Sequence, residues 1–488
     1  NFRYHYRPCG FSCRCFSRKR RPPPTSFMIR KLLHRAVRAF RRPAAGEAPS
    51  PLPDATSLIP AQRHGIPRES LSPGALRTCE TLQHAGFKAF VVGGAVRDLI
   101  AGIQPKDYDI ATDATPEQVR GLFRRSRIIG RRFQIVHVMQ GPETLEVSTF
   151  RAAHDASTQK DEHGRVLRDN VWGNQAEDAA RRDFTINALY YDPTSQTVHD
   201  YHHGVADIQQ KTLRIIGEPR TRYREDPVRM LRAVRLSAKL GLSIDPAARS
   251  PIREMASLLE NVPAARIFDE MLKLLFSGHA YECLRRLRDE GLHHGLLPLL
   301  DVILEQPGGE KFIILALENT DQRVRAGKPT SPGFLFATLL WHEVLAHWEE
   351  RKTRGELPTP ALFDAMDAVL DQQAEKLAIT RRISGDIKEI WALQPRFDKR
   401  SGKTPLRLLE QPRFRAAYDF MLLRVQSGEA PQELADWWTR FQEVEGEERL
   451  AMLLPASGSS GTKKRRRKSR SRGKKAEAGH TPTPESAE

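Results

Sequence analysis

Residues 88–98 read KAFVVGGAVRD and residues 106–112 read KDYDIAT. The first segment is an apolar run that enters two glycines and then continues with helical spacing, which predicts a strand, a tight turn and a helix. Strand-like and helical segments alternate to about residue 216, so this part of the chain is predicted to be an α/β domain. Beyond residue 224 nearly every segment has helical spacing, with breaks expected at Pro or Gly near residues 263, 307, 328, 358, 395 and 430.

The predicted fold class is a multidomain α+β protein: an α/β head, an all-helical remainder and basic ends that stay disordered. The 488 residues leave room for several domains. Residues 456–488 contain too few apolar side chains to form a core. We place a basic N-terminal extension and linker at 1–65, the head at 66–217, a helical neck at 218–280, a helical body at 281–455 and a basic tail at 456–488.

The net charge of +18 is concentrated at the two ends of the chain. Residues 1–42 contain thirteen Lys or Arg and no acid, and residues 463–475 contain ten Lys or Arg and no acid. The part between them is nearly neutral. Basic appendages of this kind typically bind polyanions, so nucleic acid or an anionic lipid surface is the expected partner.

The length of the apolar runs and the number of cysteines exclude two classes of protein. No apolar run reaches the ~18–20 residues of a membrane span, so an integral membrane protein is not expected, and only peripheral contact stays open. The predicted folded part contains just Cys79 and Cys283. A disulfide scaffold is therefore excluded, and a reducing compartment, the cytoplasm, is predicted.

Two glycines, an arginine and two aspartates lie within seventeen residues. Gly93 and Gly94 leave backbone N–H groups open to phosphate oxygens, and Arg97 follows at the start of the predicted helix. Asp107 and Asp109 are two residues apart on a predicted strand, so both carboxylates face one side. A divalent cation such as Mg²⁺ would offset their repulsion. The pattern predicts a site for a metal and a triphosphate, and the alternative is a glycine turn beside a solvated acidic loop.

The same segments resemble the head domain of the class II nucleotidyltransferases of the polymerase-β superfamily. GGAVRD at 93–98 and KDYDIAT at 106–112 match its first motif, and three later segments match in order and spacing. These are RRDFTINA at 181–188, DYHHG with a following Asp at 200–207, and EDPVR with further arginines at 225–235. The resemblance implies a polymerase-β-like head followed by a helical neck and body that hold RNA.

This family contains the tRNA CCA-adding enzymes and the bacterial poly(A) polymerases. Residues 128–137, IIGRRFQIVH, resemble a signature of the poly(A) polymerases that CCA-adding enzymes lack, and the region 377–424 and the basic tail point the same way. The resemblance therefore implies a polynucleotide adenylyltransferase that transfers AMP from ATP to RNA 3′ ends without a template and releases pyrophosphate.

The resemblance also implies a context and leaves alternatives. It implies a monomer that promotes RNA decay and whose basic tail contacts RNA or the decay machinery. A tRNA CCA-adding enzyme is the alternative with the same chemistry. A catalytically silent RNA-binding protein is the alternative of another class, and the intact pair Asp107 and Asp109 argues against it.

Catalytic roles follow from the resemblance. Asp107 and Asp109 would hold two Mg²⁺ ions, one activating the RNA 3′-hydroxyl and one neutralising the leaving pyrophosphate. Asp183 would reach the nucleotide or complete the acidic cluster, and Glu146 is the rival third carboxylate. A salt bridge between Arg182 and Asp183 is the purely structural alternative.

Base selection is assigned by the resemblance to the helix that follows Asp226. The Asp226 carboxylate would accept from the exocyclic amine of adenine, and the forked donors of Arg229 would meet a ring nitrogen. Arg229, Arg232 and Arg235 step by three along one side of this helix. The plain alternatives are a helix N-cap for Asp226 and a solvated face for the arginines. The whole predicted nucleotide-binding set is Gly93, Gly94, Arg97, Arg182, Asp226, Arg229 and Arg232.

Overall fold

The computed structural model describes residues 56–130, 134–152, 171–293, 309–374 and 377–455. All of them belong to one compact unit that begins at Pro53. The predicted disordered ends lie outside the described residues, apart from the last part of the N-terminal linker. Three residues of the 128–137 signature lie outside them as well.

The head is built on one mixed sheet of eight strands in the order β1-β8-β7-β2-β3-β6-β5-β4. Neighbouring strands are antiparallel except β3 and β6, which are parallel. The strands are β1 (Ser57–Pro60), β2 (Ala89–Val92), β3 (Asp109–Thr112), β4 (Ser126–Ile129), β5 (Ile135–Gln140), β6 (Glu143–Thr149), β7 (Leu189–Asp192) and β8 (Thr197–Asp200).

In the described part of the head, six helices accompany this sheet, and capping residues explain where three of them begin. Ser72 accepts from the N–H of Ala75 ahead of α2, and reciprocal capping boxes at Thr115 and Asn174 open α4 and α5. The helices are α1 (Ala61–His64), α2 (Pro73–His84), α3 (Gly94–Ile100), α4 (Pro116–Leu122), α5 (Gln175–Arg181) and α6 (Gly204–Gln209).

Buried side chains cover both faces of the central strands. Val91 and Ile110 belong to the larger core on one face, and Phe90, Ala111 and Tyr190 belong to a smaller core on the other. Polar groups of the sheet therefore lie at the strand ends and on β6, where Glu146 is exposed. The predicted α/β head and its strand–turn–helix at residues 88–98 are confirmed.

Fifteen helices follow among the described residues. They are α7 (Pro219–Glu225), α8 (Val228–Leu240), α9 (Pro246–Arg249), α10 (Ile252–Met255), α11 (Ala264–Leu275), α12 (Ala280–Asp289), α13 (Gly309–Arg325), α14 (Pro332–Leu339), α15 (Trp341–Thr353), α16 (Pro358–Ala374), α17 (Arg381–Phe397), α18 (Thr404–Leu409), α19 (Phe414–Ser427), α20 (Gln432–Glu443) and α21 (Gly446–Ala451). Three short 3₁₀ turns lie at Arg68–Ser70, Thr185–Asn187 and Ala256–Asn261.

The predicted helical remainder is confirmed, with two differences. A two-residue parallel pair, β9 (Thr212–Leu213) with β10 (Ser243–Ile244), joins the end of the head to the segment after α8. The break expected near residue 395 follows two residues later, because Pro395 still lies in the last turn of α17, which ends at Phe397. Buried Trp391 and Phe397 anchor that turn on both sides of the proline, so packing outweighs the lost backbone hydrogen bond.

Two apolar clusters hold the helices together. One extends from Phe184 at the end of the head to Leu423 of α19 and contains Trp341 and Trp391. The second, around Phe397 and Trp438, holds the C-terminal helices. Within the described ranges, no helix is long and apolar enough to cross a membrane.

Candidate active site

A cleft of about 480 Å³ opens where β2 and β3 meet the helices α3 and α8. Every predicted site residue except Asp107 lines it. The cleft is lined by Gly93, Gly94, Arg97, Asp109, Ser148, Arg151, Asp178, Arg181, Arg182, Asp183, Asn187, Asp226, Arg229 and Arg232.

The glycine turn at the end of β2 is one wall of the cleft. Gly93 has φ +69°, which few side-chain-bearing residues adopt, and its N–H donates to the carbonyl oxygen of Leu189 at 3.1 Å. A Cβ on Gly93 would lie 3.1 Å from Nη1 of Arg182. The absent side chain therefore serves both the turn and the close approach of a cleft arginine.

The acidic wall is set by strand register. Asp109 opens β3 and is opposite Glu146 on parallel β6, which is opposite His137 on β5. Cross-strand neighbours project to the same face, so these three side chains form a row. The His137 Nε2 lies 3.5 Å from the Glu146 Oε1. The last residue of the 128–137 signature is thereby placed next to the acidic row.

Asp107 is not on the strand, and that prediction is wrong. β3 begins only at Asp109. Between the two aspartates, Tyr108 is turned into the protein and donates its hydroxyl proton to the carbonyl oxygen of Ser70 at 2.8 Å. Asp107 therefore lies in the loop before β3, where its charge still acts on Asp109.

The acidic side chains influence one another. Partial dehydration in the cleft raises the pKa of Asp109 to about 6, the negative charges of Glu146 and Asp107 add to the rise, and Arg182 opposes it. A divalent cation would relieve this repulsion, and carboxylate oxygens are the ligands that Mg²⁺ prefers. Among the described residues, no three acidic, His or Cys side chains come close enough to hold a metal ion by themselves.

Asp183 is buried and committed to protein contacts. Its Oδ1 accepts from Asn187 Nδ2 at 2.9 Å and from the N–H of Phe184 at 2.8 Å, and Nη2 of Arg232 lies 2.6 Å from its Oδ2. Burial alone would raise the pKa of Asp183, but the charge of Arg232 and these hydrogen bonds outweigh it and lower that pKa. Asp183 thus stays ionised and holds Arg232 at the cleft.

Two further cleft arginines are fixed by neighbours. Arg97 donates to Asp98 through Nε and Nη2 and to Asn187 Oδ1 through Nη1 at 2.6 Å. Arg182 donates to Asp178 Oδ2 and its guanidinium lies 5.0 Å from the ring centre of Tyr190. The expected structural alternative, a salt bridge between Arg182 and Asp183, is absent: in the structure the partner of Arg182 is Asp178.

Each arginine of the α8 stripe has a carboxylate partner. Arg229 lies 3.1 Å from Glu225, Arg232 pairs with Asp183, and Arg235 pairs with Glu270 of α11 at 2.6 Å. A merely solvated face is therefore excluded, and Arg235 points away from the cleft lining.

Asp226 lies at the junction of α7 and α8. It ends α7, and the N-cap position of α8 is Pro227, so the expected cap at Asp226 is displaced by one residue. Its Oδ1 still accepts from the N–H of Val228 at 3.4 Å, and Nη2 of Arg266 reaches both carboxylate oxygens at 3.1 and 3.0 Å. Arg266 therefore orients the carboxylate at the cleft.

Sequence comparison places this cleft in a known family. Three family models match, described as Poly A polymerase head domain (residues 89–214), Probable RNA and SrmB- binding site of polymerase A (241–304) and Polymerase A arginine-rich C-terminus (354–472). Poly(A) polymerase I of Salmonella typhimurium is 43% identical over 431 residues, 85% of this chain and 92% of the relative. The chain belongs to the bacterial poly(A) polymerase family.

Other relatives fit this membership. Poly(A) polymerase I of Haemophilus influenzae is 42% identical over 81% of this chain and 90% of its own length. The CCA-adding enzyme of Bacillus subtilis is 37% identical over only 46% of this chain and 55% of its own length. The resemblance to the poly(A) polymerase branch is confirmed.

A solved structure shows the same fold. The Bacillus stearothermophilus CCA-adding enzyme in complex with CTP has a TM-score of 0.52 and 24% identity, covering 78% of this chain and 87% of that one. The polymerase-β-like head with a helical remainder is thereby confirmed.

Several residues that line the cleft of this poly(A) polymerase family member were not predicted from the sequence to belong to the site. Arg181 and Asn187 lie inside the quoted RRDFTINA motif, so the signal was present. Asp178 is four residues before Arg182 on α5, a spacing that favours an ion pair and could have indicated it. Arg151, just after β6, carried no signal, because its place in the cleft depends on long-range pairing.

Proposed function

We propose that the chain is a template-independent poly(A) polymerase that transfers AMP from ATP to the 3′ end of RNA and releases pyrophosphate. The observation that carries this proposal is a cleft in which a glycine turn, the carboxylate of Asp109 and a cluster of arginines meet. The identity to poly(A) polymerase I relatives over most of the chain supports adenylate addition over the completion of tRNA ends.

The triphosphate is proposed to bind between the glycine turn and the arginines. The backbone N–H groups after Gly93 and the guanidinium groups of Arg97, Arg182 and Arg232 face the same cleft. The carboxylates that pair with these arginines fix their positions before the nucleotide arrives. Binding then requires little ordering of side chains.

The metal is proposed to bind at the acidic wall. Asp107 and Asp109 would hold the two Mg²⁺ ions. Glu146 shares the register of Asp109 but does not line the cleft, and both oxygens of Asp183 are engaged, so neither is proposed as a third ligand. Bound Mg²⁺ supplies stabilisation of charge on the phosphate oxygens and promotes loss of the hydroxyl proton.

In the reaction, the RNA 3′-oxygen forms a bond to the α-phosphorus of ATP while the bond to pyrophosphate breaks. The cleft residues orient the triphosphate for this in-line attack and offset its negative charge. Asp226, oriented by Arg266, would accept from the adenine amine, and Arg229 would donate to the ring.

Family membership supports a wider context. We propose that the enzyme acts as a monomer in the cytoplasm, that its added tails promote RNA decay, and that the basic tail contacts RNA or the decay machinery. Cys79 and Cys283 are free thiols, which agrees with a reducing compartment.

The reaction is tested with purified enzyme and Mg²⁺ on two RNAs, an unstructured oligomer and a tRNA that lacks its CCA end. Each is offered ATP alone, CTP alone or both. With ATP alone, the oligomer is expected to give a long series of extension products, each one nucleotide longer than the last. Three additions that stop, on the tRNA only and with CTP required, would instead establish a CCA-adding enzyme.

The acidic wall has its own test. Asp107→Asn and Asp109→Asn are each expected to lower kcat by at least about 10²-fold while RNA binding by filter retention is kept. Glu117→Gln, an exposed acid in the first turn of α4, is the matched control and should leave kcat unchanged. Full extension by the double variant of Asp107 and Asp109 would refute the site.

A further inference from the structure

A second concave surface lies in the helical body. A groove of about 750 Å³, larger than the cleft, is formed by α13, the loop before α14, and α19, and it shares no lining residue with the cleft. The matched RNA-binding model ends at residue 304, and only Phe276 of the groove falls inside it. The groove therefore requires an explanation of its own.

The rim of the groove is basic. Arg323, Lys328, Arg413 and Arg415 line it against a single acid, Asp419. Lys328 is exposed, and the Arg415 side chain is 72% exposed even though it pairs with Asp419 at 2.9 Å. Arg413 is paired as well, with Asp386 and Glu389 beside the lining. The positive charge that the groove presents to a polyanion therefore comes chiefly from Arg323 and Lys328.

The groove also contains apolar surface that remains partly open. Phe276 and Phe334 line it together with Leu422 of α19, and none of these three side chains is fully buried. The amide side chains of Gln322 and Gln426 lie in the same lining. Aromatic faces and amides inside a basic groove are the combination with which proteins bind single-stranded nucleic acid.

The groove lies within reach of the cleft. Helix α13 packs on α12, and α12 packs on α8, which carries Arg229 and Arg232. The axes of neighbouring packed helices are about 8–10 Å apart. Helix α13 is therefore two such distances from α8, the helix at the cleft. A few nucleotides can span such a distance.

We propose that this groove binds a single-stranded segment of the RNA substrate upstream of its 3′ end. The phosphates lie against Lys328 and Arg415, and the bases lie against the phenylalanines. This inference rests on the proposed function, because it takes the substrate to be RNA. It adds a binding site at residues 319–331 and 412–426, outside both the cleft and the matched RNA-binding model.

The double variant Lys328→Gln, Arg415→Gln in the full chain tests the proposal. Both side chains are exposed, so the fold is expected to be unaffected. The matched control is Arg381→Gln, Arg382→Gln, which removes the same charge from exposed positions at the start of α17, outside the groove lining. RNA dissociation constants are measured over a series of salt concentrations, and extension rates are measured separately.

The groove variant should bind an RNA longer than about 16 nucleotides roughly tenfold more weakly, and the slope of log K against log salt should fall by about 1.4. Extension of an RNA of about 2 nucleotides, too short to reach the groove, should keep its wild-type rate. The control variant should show neither change. Wild-type affinity and slope in the groove variant overturn the proposal and leave an acidic protein segment as the occupant.

Photocrosslinking gives a readout that does not depend on activity. An RNA with 4-thiouridine several nucleotides before its 3′ end should crosslink to peptides within 319–331 or 412–426. Crosslinks confined to other peptides contradict the groove assignment. Since binding and crosslinking need no AMP transfer, they can fail while the enzyme extends RNA, and they can succeed if it does not.

Discussion

The carboxyl of Asp109 is easier to protonate in the folded protein than in the unfolded chain. Dehydration and the charges of Glu146 and Asp107 raise its pKa from 3.8 to about 6. Between these two values the folded state keeps a proton that the unfolded state has lost. The free energy of unfolding should therefore fall as the pH rises through this window.

The variant Asp109→Asn cannot ionise and should lack this part of the pH dependence. In the absence of divalent cations we expect it to be more stable than the wild type at about pH 7 and to gain nothing at about pH 4. Urea denaturation in EDTA at both pH values measures the difference. An Asp109→Asn variant that is no more stable than the wild type at the higher pH would contradict the assigned pKa.

The residue types of the site were predictable because chemistry restricts them. Gly93 is needed for a positive φ and a close approach, and carboxylates are needed for a metal, so motif and spacing indicated both. The partners were not predictable in the same way. Asp183 was expected to act on the nucleotide or pair with Arg182, but Asp183 holds Arg232, which lies 49 residues later.

At the scale of secondary structure, Gly204 marks a tight crossing. It begins α6, and a Cβ there would overlap the backbone carbonyl group of Thr185 in the adjacent 3₁₀ turn. Gly204→Ala should therefore lower the free energy of unfolding by about 1–3 kcal/mol.

Gly121→Ala is the matched control for this change. Gly121 lies in α4, and a Cβ there would meet no atom within 4 Å. This substitution should be neutral or stabilising by up to about 1 kcal/mol. Equal unfolding free energies for the two alanine variants, measured by urea denaturation, would exclude the steric explanation.

The packing of α8 against α11 depends on a largely buried ion pair. Glu270 is 4% exposed and accepts from Nε of Arg235 at 2.6 Å. Glu270→Ala would leave the guanidinium without its partner and should destabilise the protein by about 3–5 kcal/mol.

An exposed ion pair provides the comparison. Glu254 pairs with Arg220 at 2.7 Å, and both side chains are largely open to solvent. Glu254→Ala should change the unfolding free energy by no more than about 1 kcal/mol. Thermal denaturation of the two variants measures the difference, and similar losses would mean that burial does not control the strength of these pairs.

Helix boundaries were more predictable than helix contacts, because a boundary depends on neighbouring residues and a contact depends on residues that are distant in sequence. Capping residues such as Thr115 made the start of α4 predictable, since the cap lies beside the helix it starts. The stripe of arginines indicated one face of α8, but not its carboxylate partners. Glu270, 35 positions from Arg235, is brought there only by the packing of α11.

For the whole molecule, the basic tail is expected to add affinity without sequence preference. Removal of residues 456–488 deletes ten clustered basic residues at 463–475. The slope of log K against log salt for RNA binding should fall by at most about 7, since each phosphate contact contributes about 0.7 for a single strand. The kcat on a short RNA should stay unchanged, and a lost kcat would show that the tail acts in the reaction itself.

The overall architecture was predictable to the extent that periodicity reports it. Alternating segments predicted the head, and continuous helical spacing predicted the remainder. The strand order was not predictable, because the neighbours β3 and β6 are separated in sequence by α4, β4 and β5. The groove in the helical body was not predictable either, because its walls come from α13 and α19, which are almost 90 positions apart in sequence.

The pairing of β3 with β6 has a consequence for preparations of this enzyme. A shift of one residue would place Leu145 or Val147 opposite Asp109 and turn the Glu146 carboxylate into the core. The register error that would separate Glu146 from Asp109 therefore also prevents stable folding. Folded molecules should all be competent for catalysis, so the fraction of active sites found by titration should equal the folded fraction.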